Sequence, residues 1–114
     1  MNLPAHQLCG SAGPSYDVAQ KLAALSHPAR IEIVARIAGL GPCSCKDVVA
    51  CLELAQSTVS QHLKILVDAG LVKYESVGQR SRYEIDGSAM VELSTRLAQF
   101  AEVCCGAPER SENG

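Results

Sequence analysis

The segment from residue 46 to residue 70 constrains the fold of this chain more than any other. Apolar residues recur at helical spacing between residues 56 and 69, which predicts a helix with one buried face. The members of that face are Val59, Leu63, Leu66 and Val67. Gly70 follows, where helices commonly end. A shorter helical stretch, 46–52, precedes it across a tight turn at 53–55. A short helix, a tight turn and a longer helix together predict a helix-turn-helix motif.

The elements around this motif complete a mainly α fold with one small hairpin. Strand-like runs at Leu71–Val77 and Arg80–Ile85 are joined at Gly78-Gln79, which predicts a β-hairpin wing. A last helix is expected from about Ser88 to Cys105. Its apolar positions are Met90, Leu93, Leu97, Phe100 and Cys104. Their spacing of three and four residues suits packing against another helix, including one from a second copy. We therefore predict a winged helix-turn-helix fold.

The length of 114 residues accommodates one domain. We expect residues 1–15 to form a flexible arm, residues 16–105 the folded domain, and residues 106–114 a flexible tail. No apolar run reaches the length of a membrane span. The first residues also lack the basic and apolar regions of an export signal. These features predict a cytoplasmic protein without a membrane partner.

The formal net charge of −2 conceals an uneven distribution. Residues 56–83 carry four basic residues against two acidic ones. The outward face of the predicted longer helix is polar and lacks acidic residues over 56–64, so it can enter a DNA major groove. The alternative is an ordinary solvated helix face. Two arginines at the wing tip can reach phosphates or a minor groove. The candidate DNA contacts are Gln56, Ser57, Thr58, Ser60, Gln61, His62, Lys64, Arg80 and Arg82.

Six cysteines are a high count for this length, and without an export signal structural disulfides are not expected. Thiolates select soft ions, among which trivalent arsenic and antimony suit two or three sulfurs. Cys104 and Cys105 are the first choice for such a site, although Cys104 also continues the apolar stripe. The second choice is Cys43 and Cys45, which would face the same side of an extended segment. Cys9 is a possible third ligand.

Three segments resemble the ArsR/SmtB winged-helix repressors. Residues 25–30 (LSHPAR) are similar to that family's LsdPtR entry motif, and residues 54–66 (LAQSTVSQHLKIL) resemble its recognition helix. Residues 69–72 (AGLV), followed by the hairpin residues 78–83 (GQRSRY), resemble its wing. The likeness extends over about residues 17–105 in the same order.

This resemblance implies a homodimer, joined through its first and last helices, that represses a promoter until an effector binds. It assigns contact with double-stranded DNA to Gln56, Ser57, Ser60, Gln61 and His62. Some arsenical-responsive members carry a vicinal cysteine pair in the dimerisation helix, similar to Cys104-Cys105. Cys43-Ser44-Cys45 departs from the family's other arsenic site, because it lies about one residue further from the recognition helix and a valine occupies the region of the third cysteine.

Three functional interpretations follow. The first is a repressor released by As(III) or Sb(III), or by a soft metal such as Cd(II) or Pb(II), with no organic cofactor. The second retains the DNA binding and replaces the effector with an oxidant or persulfide, which requires an accessible, low-pKa thiol. The third, an enzyme, is disfavoured because we find no catalytic residue set and no phosphate-binding loop. We also expect Cys51 to pack inside the short helix and His27 to cap or pack.

Overall fold

A computed structural model of the chain describes residues 14–106. The elements are α1 (Pro14–Leu25), α2 (Pro28–Leu40), α3 (Cys45–Ala50), α4 (Gln56–Asp68), β1 (Val72–Val77), β2 (Arg80–Ile85) and α5 (Gly87–Cys105). Their order and type confirm the predicted mainly α fold with a hairpin wing. α1 is helical from Pro14, the first described residue, so the last two residues of the predicted arm belong to this helix. Almost all of the predicted arm and tail lies outside the described residues.

Local capping determines where three of the helices begin. Nδ1 of His27 accepts a hydrogen bond from the Ala29 N–H (3.1 Å) ahead of α2, which confirms the expected capping role of His27. Ser44 caps α3 through a reciprocal pair of hydrogen bonds with Asp47. Asp86 Oδ1 accepts from the Ala89 N–H (3.1 Å) at the start of α5. These caps satisfy backbone donors that would otherwise lack partners.

The core lies between α2, α3, α4 and the base of the hairpin. The largest fully buried side chains are Ile33, Ile37, Val48, Val59, Leu63, Leu66 and Leu71. α4 contributes three of them from the predicted apolar face, while Val67 is only half-buried. Because this face is fixed in the core, the opposite face of α4 is presented to solvent.

The hairpin projects from this core as a wing. Its antiparallel register pairs Val72 with Ile85 at the base and Val77 with Arg80 at the tip. Gly78 lies at the tip with φ +63°, a conformation that favours glycine. In β1 only Val72 is buried. The wing is therefore anchored at its base and open to solvent at its tip.

α1 and α5 leave an apolar surface open. A cavity of about 350 Å³ lies between the two helices and is lined by Val18, Leu22, Leu97 and Phe100 among others. Leu93 is buried in the core, but Phe100 further along the same stripe is 64% exposed. We call the side chains of this cavity, together with Tyr16, the α1–α5 surface. Among residues 14–106, no helix combines the length and apolar character needed to cross a bilayer.

Candidate nucleic-acid interface and thiol sites

The solvent face of α4 presents most of the side chains predicted to contact DNA. The exposed members are Gln56, Ser57, Ser60, Gln61 and Lys64. Ala55 precedes the helix and offers no side-chain cap, so the first backbone N–H groups of α4 are not capped by a side chain. Uncapped N–H groups at a helix start favour a phosphate. This face combines hydrogen-bonding side chains with an N-terminus suited to a nucleic-acid backbone.

Two predicted DNA contacts on α4 do not point fully outward. Thr58 is half-buried, next to the core residue Val59. His62 is also half-buried, because it lies against residues that precede and begin α2. Its Nδ1 lies 3.2 Å from Nη1 of Arg30, and its ring centroid is 4.8 Å from that of His27. His62 therefore faces solvent only in part, and its Nδ1 is directed to Arg30.

The environment of His62 favours its neutral form. Partial burial lowers its pKa, and the nearby His27 and Arg30 lower it further. A guanidinium has donors only, so Nδ1 of His62 accepts the hydrogen bond and the ring proton resides on Nε2. Sequence reasoning missed this contact, since Arg30 and His62 are 32 residues apart.

The wing presents its two arginines differently. Arg82 Nη2 donates to Glu75 Oε1 (3.0 Å) directly across the hairpin, where the register places them opposite each other. Arg80, beside the tip, makes no ion pair within residues 14–106. Its charge helps to lower the pKa of Asp47, although the hydrogen bonds from Ser44 are the main cause. Arg80 is thus the more available cation for a phosphate.

A groove of about 660 Å³ separates the wing from the residues that begin α3. Its polar lining residues include Lys46, Gln56, Gln79, Arg80 and Arg82. This groove therefore joins the start of α4 to the wing in one surface. Lys46 is a candidate phosphate contact that sequence reasoning missed, and its signal was a basic residue in the first turn of the short helix.

Cys43 and Cys45 line the same groove in different environments. Cys43 is buried and exchanges two backbone hydrogen bonds with Tyr83 of β2 (2.9 and 2.7 Å). Burial raises the pKa of its thiol, and the nearby Asp47, Cys51 and Cys45 raise it further. Cys45 is half-buried, with its Sγ 3.5 Å from Ser60 Oγ on α4. The predicted extended segment was wrong at Cys45, because the cap on Ser44 makes it the first residue of α3.

The remaining described cysteines are exposed. Cys51 terminates α3 at its C-cap, so the prediction that it packs inside the short helix was wrong. Cys104 and Cys105 are the last residues of α5 and both face solvent. Adjacent helical side chains diverge by about 100°, and the helix ends here, at Gly106. Cys9 lies outside the described residues.

No group of three or more cysteine, histidine, aspartate or glutamate side chains suited to hold a metal ion forms within residues 14–106. Within the described residues, at most two side chains of these types are therefore placed to share one ion. A third ligand for a metalloid would have to come from elsewhere.

Comparison with known proteins places this architecture in a family. A helix-turn-helix domain family matches residues 25–75, which include the helix-turn-helix and the first part of the wing. The arsenical resistance operon repressor of Bacillus subtilis is 35% identical over 86 residues, covering 75% of this chain and 77% of that protein. The chain belongs to the ArsR/SmtB family of winged helix-turn-helix transcriptional regulators.

Two further comparisons indicate the same family. The transcriptional repressor SmtB homolog of Synechocystis sp. is 33% identical over 92 residues, covering 77% of this chain and 69% of that protein. The solved structure of an ArsR-like transcriptional regulator from Rhodococcus sp. RHA1 superposes with a TM-score of 0.70 at 25% identity, covering 76% of this chain and 81% of the other. The chain is accordingly a DNA-binding transcriptional regulator of the ArsR/SmtB family.

Proposed function

We propose that this chain is a homodimeric repressor that leaves its operator when trivalent arsenic or antimony binds its cysteine thiolates. The observation that carries the choice of inducer is the adjacent, exposed pair Cys104 and Cys105 at the end of α5. This helix also carries half of the α1–α5 surface. An ion bound there would lie next to the surface on which we place the second subunit.

Operator binding is assigned to α4 and the wing. The exposed polar face of α4 has the dimensions and hydrogen-bonding groups to enter a major groove. Arg80 and Lys46 flank the groove between α4 and the wing, where a phosphate backbone would pass. The proposed base contacts are Gln56, Ser57, Ser60 and Gln61, with Thr58, Lys64 and Arg82 alongside them.

Dimerisation is assigned to the α1–α5 surface. Tyr16 is 57% exposed and Phe100 is 64% exposed, and a cavity lies between their helices. Burying apolar area of this kind stabilises association by about 25 cal/mol per Å² before the costs of ordering. A second copy would cover both halves at once and present two α4 helices to two half-sites.

The two thiol pairs differ in their suitability for a soft ion. Binding requires thiolates, and the raised pKa of Cys43 disfavours that form in the pair Cys43–Cys45. Cys104 and Cys105 are exposed and accessible. They would supply two sulfurs, and the third donor would be Cys9, a group of the second subunit, water or a small thiol. Bound there, the ion would fix both thiolates in one arrangement. Cd(II) and Pb(II) are further candidates on the same chemistry.

Release from DNA requires the inducer to bind the DNA-incompetent state more tightly than the DNA-bound state. When one ion binds both Cys104 and Cys105, the conformation of the end of α5 changes beside the α1–α5 surface. A change in how two subunits meet there alters the spacing of their α4 helices. Operator DNA of fixed half-site spacing then loses one of its two contacts.

Fluorescence anisotropy on operator DNA tests the inducer assignment. We expect arsenite at roughly stoichiometric amounts to release the reduced wild type. Cys104→Ser/Cys105→Ser should bind DNA equally well and resist release, whereas the control Cys51→Ser should respond like the wild type. Cys43→Ser/Cys45→Ser should also still be released. Normal release of Cys104→Ser/Cys105→Ser would refute the first-choice site, and loss of release in Cys43→Ser/Cys45→Ser alone would place the site there.

A redox or persulfide sensor is a second candidate, favoured by the contact between Cys45 and Ser60. Because Cys45 Sγ lies 3.5 Å from Ser60 Oγ, added atoms on this sulfur would disturb a proposed DNA contact directly. Polysulfide should then release DNA where arsenite does not, with an adduct or disulfide at Cys45 in the mass spectrum. Release by arsenite and not by polysulfide would reject this candidate.

A further inference from the structure

We infer that Arg30 is a positioning residue for DNA recognition, acting through His62 to hold α4 against the end of α1. On this inference His62 serves to orient the recognition helix and does not read a base. The inference rests on the proposed operator binding by α4. Beyond that proposal, Arg30 acquires a positioning role, and His62 changes from a predicted DNA contact to a residue that orients α4.

The guanidinium of Arg30 bridges two elements with separate nitrogens. Nε donates to the backbone carbonyl oxygen of Ala24 in the last turn of α1 (2.6 Å). Nη1 lies 3.2 Å from Nδ1 of His62 on α4 and donates to it. The fixed geometry of the guanidinium means that both bonds constrain a single orientation of the side chain. A lysine has no such fork and cannot reproduce both directions.

His27 holds the imidazole of His62 by a second contact. The ring of His27 is fixed by its cap, since Nδ1 accepts from the Ala29 N–H (3.1 Å). The two rings lie 4.8 Å apart at an interplanar angle of 57°. His62 is thus held by a hydrogen bond from Arg30 and by a ring contact with His27, both from residues that precede or begin α2.

This arrangement connects two functional surfaces. α1 forms one half of the α1–α5 surface, while α4 presents the proposed DNA contacts. Arg30 is hydrogen-bonded to the last turn of α1 and to the middle of α4, so a shift of either helix changes the geometry of its bonds. Operator affinity should therefore depend on Arg30, although its side chain lies between helices and is only partly exposed.

A double-mutant cycle separates positioning from base reading. Arg30→Met removes the donors, and His62→Phe keeps the ring against His27 but removes the acceptor. Each is expected to weaken operator binding about tenfold, the scale of a lost hydrogen bond to a charged group. The double variant should bind no more weakly than the worse single variant. Multiplied losses, about 100-fold, would show that His62 contacts DNA independently and would overturn the inference.

Rescue and spectroscopy add readouts that a general loss of stability would not produce. His62→Asn retains an acceptor near the position of Nδ1 and should regain affinity to within about threefold of the wild type. The ¹⁵N shift of His62 Nδ1 should be that of an unprotonated acceptor in the wild type and should move in Arg30→Met. A protonated Nδ1 in neutral wild-type His62 would refute the hydrogen bond, even if every variant failed to fold.

Different binding results would refute the positioning role of Arg30 and the proposed operator binding. If the wild type does not prefer its promoter over scrambled DNA, operator binding itself is refuted. If the wild type prefers its promoter and Arg30→Met binds it equally well, only the positioning role is refuted. Non-additive losses of operator affinity, together with rescue by His62→Asn, support both the operator binding and the positioning role of Arg30.

Discussion

At the scale of single residues, the contacts within the chain divide the candidate DNA contacts into two groups. Lys64 pairs with Asp68 (3.3 Å) and Arg82 with Glu75 (3.0 Å), both at exposed positions. Exposed ion pairs contribute little to stability, so both cations can exchange their carboxylate for a phosphate. Gln61, in contrast, has no side-chain hydrogen bond to the rest of residues 14–106 and is exposed. Its amide is therefore free to contact a base edge.

Gln61→Ala should therefore weaken specific operator binding strongly. A well-oriented amide contact to a base contributes about 1–3 kcal/mol of discrimination, or roughly 5- to 150-fold in Kd. Gln20→Ala is the matched control, because it removes the same amide from an exposed position on α1. Anisotropy titrations should show weaker binding for Gln61→Ala and unchanged binding for Gln20→Ala. Equal affinities of both variants would remove Gln61 from the interface.

The pKa of His62 predicts a dependence of stability on pH. Its pKa is lower in the folded chain than the usual histidine value of about 6.5, so the unfolded chain binds more protons as the pH falls below that value. The contribution of neutral His62 to stability is complete above the unfolded pKa and declines as the pH falls toward the folded pKa. Urea unfolding at several pH values should show a shallower decline for His62→Asn than for the wild type. Identical slopes would contradict the lowered pKa.

At the scale of elements, the local sequence pattern predicted the position and bounds of α4 well, because the residues that define this helix are close together in the sequence. Val59, Leu63 and Leu66 recur at helical spacing and are all buried. Gly70 follows the helix with φ +85°, as its position predicted. The bounds Gln56–Asp68 accordingly lie within one residue of those predicted.

Two glycines at different backbone conformations should respond oppositely to alanine. Gly70→Ala places an alanine in the left-handed backbone region, and its Cβ would lie 3.4 Å from Lys21 Nζ. We expect this substitution to destabilise the fold by about 1–2 kcal/mol. Gly39 lies inside α2 with open space around it, so Gly39→Ala should stabilise by about 0.5–1 kcal/mol. Urea unfolding measures both changes. Destabilisation by both substitutions would contradict the conformational explanation.

The sequence was least informative where an element depends on a distant partner. Cys43 is buried because it pairs with Tyr83, which is 40 residues further along the chain. His62 faces Arg30 through packing that helical periodicity alone does not contain. Cys51 is exposed because α3 ends before it, at Ala50. Residue type and spacing identified the candidate groups, while non-local packing determined which of them face solvent.

At the scale of the whole molecule, the described residues carry the surface on which we propose operator binding (the reading surface) and the apolar surface on which we propose dimerisation (the assembly surface). α4 and the wing form the first, and α1 and α5 form the second. The core between them holds both in fixed relation, and Arg30 connects α1 directly to α4. A shift of α1 at the assembly surface would therefore be transmitted to α4 through the hydrogen bonds of Arg30.

Phe100→Asp should prevent dimerisation and weaken operator binding. A charge in the middle of an apolar interface is costly to bury, and a monomer contacts one half-site only. Val91→Lys is the control, since Val91 is 67% exposed on the same helix and does not line the cavity. Sedimentation should give a monomer for Phe100→Asp and a dimer for the wild type and Val91→Lys. A dimeric Phe100→Asp would place the interface elsewhere.

The most direct test of operator recognition is the equilibrium binding of the reduced chain to its own upstream promoter DNA and to a scrambled sequence. The titration should be repeated at several salt concentrations, because phosphate contacts weaken with salt. We predict binding as a dimer, with the promoter preferred about 1,000-fold or more at physiological salt. Equal affinity for the two DNAs, or no binding to either, would contradict the assignment of α4 and the wing as a sequence-reading surface.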